Sequence, residues 1–469
     1  MPTTNRRDFI KQSAIGTTGI TIGAMGFSAK SYAAISGANE RIHVAVIGIR
    51  NQGTVHLNSW CGLKTSHNVE VRALCDTDEQ LFDPALKLVT QKSGVTPTTS
   101  WDLRAILDQK DIHAVSIVTP NHWHALATVW ACQAGKHVYV EKPASHNIWE
   151  GRKMVEAARK YNLRVQVGLN NRSSQNVRDA IAFLHDGGIG ELYLARALVF
   201  KARDSYGRAK DSPAPATFHY DRWLGPAPHR PYNEKRSHYN WHWYWDTGNG
   251  DTGNTGPHQL DIARWGMNKH EHPVSVYSTG GLYGLREDDG GPATPGVRVY
   301  GGVETYGHDK TSQETPNTQT AVYKYRDGTL LELETRGRYT NHEGSRGQEV
   351  GNLFYGSDGW LEISGNTWKA FRKRGKEPIA GSKEGTGETR GNHWANFLDA
   401  LRSGKDATLH SDINEGHLST SLCHLANISY RVDRSLKFVG ENERFANDPE
   451  ADAMLTRIYR EPYVVPTKV

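Results

Sequence analysis

Cysteine is scarce in this chain: four residues in 469, at positions 61, 75, 132 and 423, with neither CxxC spacing nor a regular framework. That excludes a disulfide scaffold and leaves buried free thiols as the expectation. No apolar run approaches the roughly 20 residues that a membrane helix requires, which excludes an integral membrane protein. Runs of one charge sign are missing too. Of the formal charge of +5, most lies ahead of residue 34, where Arg6, Arg7, Lys11 and Lys30 stand against Asp8. The body keeps a net charge of only about +2, a bland surface without a phosphate-tracking groove, and nucleic-acid binding is not expected. Apolar residues at 37% and 13 tryptophans nevertheless describe a globular protein rather than a disordered one. A length of 469 residues accommodates two domains of ordinary size.

Residues 1–33 read as a processing segment: a basic pair, a weakly apolar stretch rich in Gly and Thr, then Ser31-Tyr32-Ala33 as a small-residue cleavage site. The run Arg6-Arg7-Asp8-Phe9-Ile10-Lys11 resembles the twin-arginine export signal, which moves proteins already folded. An arginine pair in an ordinary secretory leader is the alternative. No cysteine precedes residue 61, so no lipid anchor is expected. The expected location is the periplasm, free of the membrane. Dinucleotides are not maintained there, so an exported redox enzyme would have to carry its own.

From residue 41 short β-branched runs alternate with helical stretches: IHVAVIGI, VEVRALCD, AVSIVTP and HVYVEKP each precede a helix pattern. This is the signature of a parallel sheet wound with helices, and it sets a nucleotide-binding domain at 41–165. The first strand ends in Gly48-Ile49-Arg50-Asn51-Gln52-Gly53, a dinucleotide fingerprint with Arg50 in place of its middle glycine. Glycine is favoured there because the backbone approaches the pyrophosphate; Arg50 instead offers a guanidinium. The second strand ends in Asp76, placed to bind ribose hydroxyls and repel a 2′-phosphate, which favours NAD over NADP.

Further along, Thr119-Pro120-Asn121-His122-Trp123-His124 is followed by Glu141-Lys142-Pro143. With the altered fingerprint and Asp76, these residues resemble the Gfo/Idh/MocA family of oxidoreductases, and the resemblance continues through WLGPAP (223–228) and GNTGPHQLD (253–261) over essentially the whole mature chain. It implies that Lys142 lies beside nicotinamide and substrate, that Pro143 bends the chain into the site, and that His258 is the catalytic histidine. Asn254 stands where the family carries an aspartate, so it orients by hydrogen bonds rather than sharing protons. Oxidising a secondary alcohol needs a base on the hydroxyl proton, which assigns that role to His258 and a charged positioning role to Lys142, with the reverse open. The resemblance also brings Glu141, Thr119, Asn121, His124 and Arg172 toward the cofactor.

After residue 166 strands dominate, at 191–200, 274–283, 319–326, 329–336, 351–355 and 360–363, with period-two alternation. The resemblance makes residues 166–469 an α+β domain with a large open, mostly antiparallel sheet that supports homo-oligomers. Helices at 390–433 are expected to return to the first domain. The run Ser237–Asp246, SHYNWHWYWD, sets aromatic faces beside polar groups and suits a sugar. Trp241 and Trp243, with His219 and Asp221, are the substrate-binding candidates. The pairs His122/His124 and His238/His242 lack a completing ligand, so no metal is assigned. Three readings follow: a carbohydrate oxidoreductase holding its NAD(H) tightly, a glycosidase working through transient oxidation and elimination, and a sugar-binding protein without catalysis. The first leads.

Overall fold

The protein is seen here as a computed structural model that describes residues 41–283, 298–300, 303–305, 312–338, 340, 343–344, 349–382, 393–404 and 408–469. Residues 1–33, read above as a processing segment, lie outside them. No helix among the described residues is long and apolar enough to cross a membrane.

The first half alternates strand and helix: β1 (Ile42–Ile47), α1 (Gln52–Gly62), β2 (Val69–Cys75), α2 (Phe82–Ser93), β3 (Thr98–Ser100), α3 (Leu103–Leu107), β4 (Ala114–Ile117), α4 (Asn121–Gln133), β5 (His137–Val140), α5 (Ile148–Lys160) and β6 (Val165–Val167). All six strands are parallel, in the order β3-β2-β1-β4-β5-β6. Helices on both faces bury the strands from both sides, which explains their unbroken apolar runs rather than an alternating pattern. The chain order reverses between β1 and β4, so a cleft opens at the carboxyl ends of those two strands.

The second half follows α6 (Gln175–His185) with β7 (Leu192–Phe200), a short α7 (Tyr220–Leu224), then α8 (Gly250–Asn254) and α9 (Gly256–Gly266). Next come β8 (Ser275–Gly281), the β9/β10 hairpin (Arg298–Tyr300, Val303–Thr305), β11 (Thr318–Lys324), β12 (Leu330–Arg336), β13 (Val350–Gly356), β14 (Gly359–Ser364), β15 (Thr367–Arg372) and β16 (Pro378–Gly381). Two helices, α10 (His393–Ser403) and α11 (Ile413–Val432), precede β17 (Leu436–Val439), β18 (Arg444–Phe445) and α12 (Pro449–Ala453). The ten-stranded sheet runs β16-β15-β14-β13-β7-β12-β11-β8-β17-β18 and is antiparallel except for the β7–β12 pair. Along β12 every second residue is buried, as alternation demands of a sheet with one face on a core. That face packs Ala195, Tyr323, Leu331, Leu333 and Phe354 against Leu260 of α9 and Leu422 of α11. By contrast α10 leaves this sheet: Trp394, Phe397 and Leu398 join Val44, Trp60 and Tyr139 in the core of the first half. All four cysteines are buried free thiols.

Two segments of the second half are laid on the first. Residues 217–219 pair with the loop after β2: Phe218 bridges Asp78, Glu79 N donates to Thr217 O at 3.0 Å, and His219 N donates to Thr77 O at 2.8 Å. The final segment runs across both halves. Leu455 O accepts from Trp149 N on α5 at 3.0 Å, Arg457 Nη2 donates to Asp246 O at 2.9 Å, and Arg460 Nε donates to Gly225 O at 3.1 Å.

Candidate active site

A cavity of about 480 Å³ occupies the cleft at the carboxyl ends of β1 and β4 and continues toward α8 and α9. One end is built by the first half. Gly48 has φ +86°, and a Cβ there would stand 2.6 Å from Val118 O; a Cβ on Gly53 would stand 2.1 Å from Gly48 O. Both fingerprint glycines are therefore required by the turn itself, which leaves its outer surface free for a phosphate at the start of α1. Arg50 and Asn51, exposed, line the cavity at that point. Asp76 closes β2 and accepts from Ile49 N at 2.9 Å and Asp78 N at 3.1 Å. Burial raises its pKa to about 6 against those hydrogen bonds. A glycine cradle, a guanidinium and a strand-end carboxylate fit a dinucleotide in which Asp76 takes the ribose hydroxyls and the amides near Arg50 take the pyrophosphate.

The other end gathers the residues expected to do chemistry. Lys142 stands two residues after the end of β5 and is joined to Pro143 by a cis bond. Its ammonium donates to Asn254 O at 2.8 Å and to Asn254 Oδ1 at 3.3 Å. Burial is the main influence on Lys142 and lowers its pKa; Glu141 opposes that, while the cations Lys201 and Arg203 reinforce it. Glu141 is held from three sides: its Oε1 lies 2.9 Å from His56 Nε2 and accepts from Gln52 Nε2 at 3.1 Å, and its Oε2 accepts from Lys142 N at 3.1 Å. Buried His56 in turn meets Ser116 Oγ at 2.7 Å. Burial would raise the pKa of Glu141, but the hydrogen bond from His56 and the charge of Lys142 outweigh it and keep the carboxylate ionised well below the usual carboxylate range. His258, third residue of α9, lines the cavity together with Asn254, Thr255, Lys142 and Asn170. Thr119 and Asn121 line it from the β4 side, where Asn121 Nδ2 donates to Asn249 Oδ1 of the second half at 3.0 Å.

Several expected site residues stand elsewhere. Arg172 is buried in an ion cluster, its guanidinium on Asp261 at 2.8 Å and on Glu415 at 3.1 Å, and does not reach the cavity. His124 lies beneath the wall, its ring nitrogens 2.7 Å from Pro143 O and 2.8 Å from Thr119 O, where it supports the two loops that carry Lys142 and Asn121. Trp241 lines the cavity and stacks on His242 at 3.6 Å, but Trp243 turns into the core, under the guanidinium of Arg203 at 4.9 Å. His219 stacks on Trp101 at 4.3 Å and its Nε2 lies 2.6 Å from Glu79 Oε1; Asp221 receives Arg460 at 2.6 Å. Neither lines the cavity. In their place the wall contains Trp101, Lys201, Arg222, His238, Tyr239, His242 and Tyr463. His238, Tyr239 and His242 lie in the aromatic run singled out by composition, and Lys201 directly follows a recognisable strand; the others carried no sequence signal.

Among the described residues neither histidine pair gathers a third ligand. Both ring nitrogens of His122 face carbonyls, Trp223 O at 2.9 Å and Thr247 O at 3.3 Å. A separate cluster brings His272 and His417 to Glu443 Oε1, at 3.0 and 2.6 Å. The Arg152 guanidinium holds both oxygens of that carboxylate and balances its charge.

Residues 42–169 match the family model described as an oxidoreductase family with an NAD-binding Rossmann fold, Gfo/Idh/MocA, and residues 204–280 and 366–465 match the model of its C-terminal α/β domain. The chain belongs to the Gfo/Idh/MocA family. Its first half is thus an NAD-binding Rossmann domain. A glycosyl hydrolase family 109 protein of Shewanella pealeana is 26% identical over 204 residues, 40% of this chain and 44% of that protein. Levoglucosan dehydrogenase of Pseudarthrobacter phenanthrenivorans is 28% identical over 189 residues, 40% of this chain and 41% of that protein. The matched part therefore spans less than half the length of these curated relatives. Among solved structures, the WlbA dehydrogenase of Bordetella pertussis, in complex with NADH and UDP-GlcNAcA, shares the fold with a TM-score of 0.61 at 18% identity, over 85% of this chain and 98% of that one.

Proposed function

We propose that this Gfo/Idh/MocA protein is an exported NAD(H)-dependent oxidoreductase acting on a hydroxyl or keto group of a sugar or glycoside, with its dinucleotide held through the reaction cycle. The observation that carries the reading is the convergence of Lys142, Asn254 and His258 on one end of a cavity whose other end is the dinucleotide cradle. Bound there, NAD supplies the acceptor for a hydride from the carbinol carbon. His258 takes the hydroxyl proton, and Lys142, fixed by Asn254, donates to the same oxygen. In reduction the same groups return the proton. Partial burial lowers the local dielectric around Lys142 and strengthens its field at that oxygen.

Retention is supported by the segment laid over the adenosine end. Phe218, Arg222, Trp223 and Tyr463 line the cavity from the second half, opposite Asp76, Trp101 and Asp102 of the first. Arg222 binds Asp102 at 3.1 Å and covers the Trp101 ring at 4.8 Å. Leaving the cleft therefore requires these contacts to open. The twin-arginine resemblance of residues 6–11 supports export of a protein already loaded.

The test is to purify the chain without added nucleotide, denature it and identify released dinucleotide by mass spectrometry. Near-stoichiometric NAD(H) is expected. NADP would show that Arg50 outweighs Asp76, and no nucleotide with no binding on titration would overturn the proposal and leave a sugar-binding protein. A second reading, glycoside cleavage through transient oxidation, draws support from the relatives called glycosyl hydrolases. The intact Glu141-Lys142-Pro143 favours net redox chemistry. Products separate the two: a keto sugar, or a free sugar with its aglycone.

A further inference from the structure

Resting on that reading, the charge inventory of the cavity says what kind of sugar it takes. A neutral sugar is met by balanced donors and acceptors, whereas an acidic sugar needs in addition a cation that no carboxylate of the site has already taken. Among the described residues three carboxylates line this cavity: Asp76, Asp102 and Glu141. Asp76 belongs to the dinucleotide end. Asp102 is taken by the Arg104 fork and by Arg222. Glu141 is occupied by His56, Gln52 and the amide of Lys142. None is left for the substrate.

Cations, by contrast, are in excess where the substrate must lie. Lys142 is joined there by Lys201, the residue directly after β7, whose backbone N is fixed to Arg336 O at 3.0 Å. The Lys201 side chain is exposed to the cavity and makes no ion pair among the described residues. Nearby Arg203 is paired with Asp251 at 2.7 Å, and Lys201 shares the field of that carboxylate without an ion pair to it among the described residues. His242 and His258 add imidazoles rather than carboxylates.

We propose that the substrate is an acidic sugar, a hexuronic acid or its glycoside, whose carboxylate is bound by the ammonium of Lys201 while the reacting hydroxyl lies between Lys142 and His258. An ammonium binds a carboxylate or a phosphate as a point charge, and the phosphate arm of the experiment separates the two.

The experiment uses the purified protein with its own nucleotide. Binding and turnover are measured for matched pairs, the methyl glycosides of glucose, galactose and mannose against those of the corresponding uronic acids, with methyl glucoside 6-phosphate as the third arm. Binding is followed by calorimetry and turnover by the absorbance of the bound nicotinamide. At least one uronoside is expected to bind about ten-fold more tightly than its neutral partner, and Lys201→Ala to bring the pair to near parity. Lys201→Glu should reverse the preference. Equal or better binding of the neutral glycosides, no binding of any uronoside, a preference that survives Lys201→Ala, or stronger binding of the phosphate would each overturn the proposal. Uronoside binding without turnover or cleavage would instead overturn the oxidoreductase reading and leave this one standing.

Discussion

The ammonium of Lys142 is tied twice to Asn254, at 2.8 Å to its carbonyl oxygen and at 3.3 Å to its side-chain oxygen. A neutral amide fixes the lysine without compensating its charge. Asn254→Asp would place a carboxylate on the ammonium, and a charge at that distance raises a lysine pKa. The limb of the kcat/KM pH profile that belongs to Lys142 should move to higher pH by about one unit or more. A limb that stays in place in the aspartate variant would remove Lys142 from the titrating machinery.

Removal of either proton-handling group should slow the chemical step and spare the cofactor. Lys142→Met and His258→Asn are each expected to lower kcat by about a hundred- to ten-thousand-fold, with dinucleotide still present after purification. Single-turnover reduction of the bound nucleotide reads the step directly. If both variants lose the nucleotide, the pair holds the cofactor instead.

Dinucleotide binding should depend on acidity through Asp76. Its raised pKa of about 6 in the protein means that the carboxylate is charged above that pH and neutral below it, where it no longer accepts both ribose hydroxyls. Affinity is therefore expected to fall as pH drops through about 6, and Asp76→Asn should flatten the dependence. Titration of nucleotide-free protein at several pH values measures it; a flat curve in the parent protein would contradict the assignment.

The contact of Arg222 with Asp102 and Trp101 should govern escape of the nucleotide. Arg222→Ala removes the ion pair with Asp102, the ring contact with Trp101 and a long hydrogen bond to Tyr463 Oη, of which the first two are each worth about 1 kcal/mol or more. Release of nucleotide should accelerate about ten-fold or more, followed by exchange against a labelled dinucleotide. An unchanged rate would mean that the adenosine end opens without it.

What could be read in the sequence was local. The longer strands announced themselves by apolar runs or by alternation, whereas short β3 and the edge strands β15 to β18 did not; Gly48, Asp76 and Lys142 lie at or just past strand ends, where such sheets place ligand contacts. Contacts between distant segments could not be read. His219 and Glu79 lie 140 positions apart, and nothing in either stretch indicates the pairing that removes His219 from the cavity wall. Trp241 and Trp243 share one helical turn, Asn240–Trp243, yet one faces the cavity and the other the core. Composition marks such a segment, but its backbone torsions decide which ring faces where. Arg172 was misplaced for a related reason: its partners Asp261 and Glu415 arrive on two later helices.

The segment from Leu455 to Tyr463 bonds to α5, to Gly225 and to Asp246, and Tyr463 forms part of the cavity wall. It follows every helix and strand among the described residues. Synthesis must therefore reach this segment before the nucleotide cleft has all its sides. A protein cut short before residue 455 would carry an intact fingerprint but a cleft open along one flank.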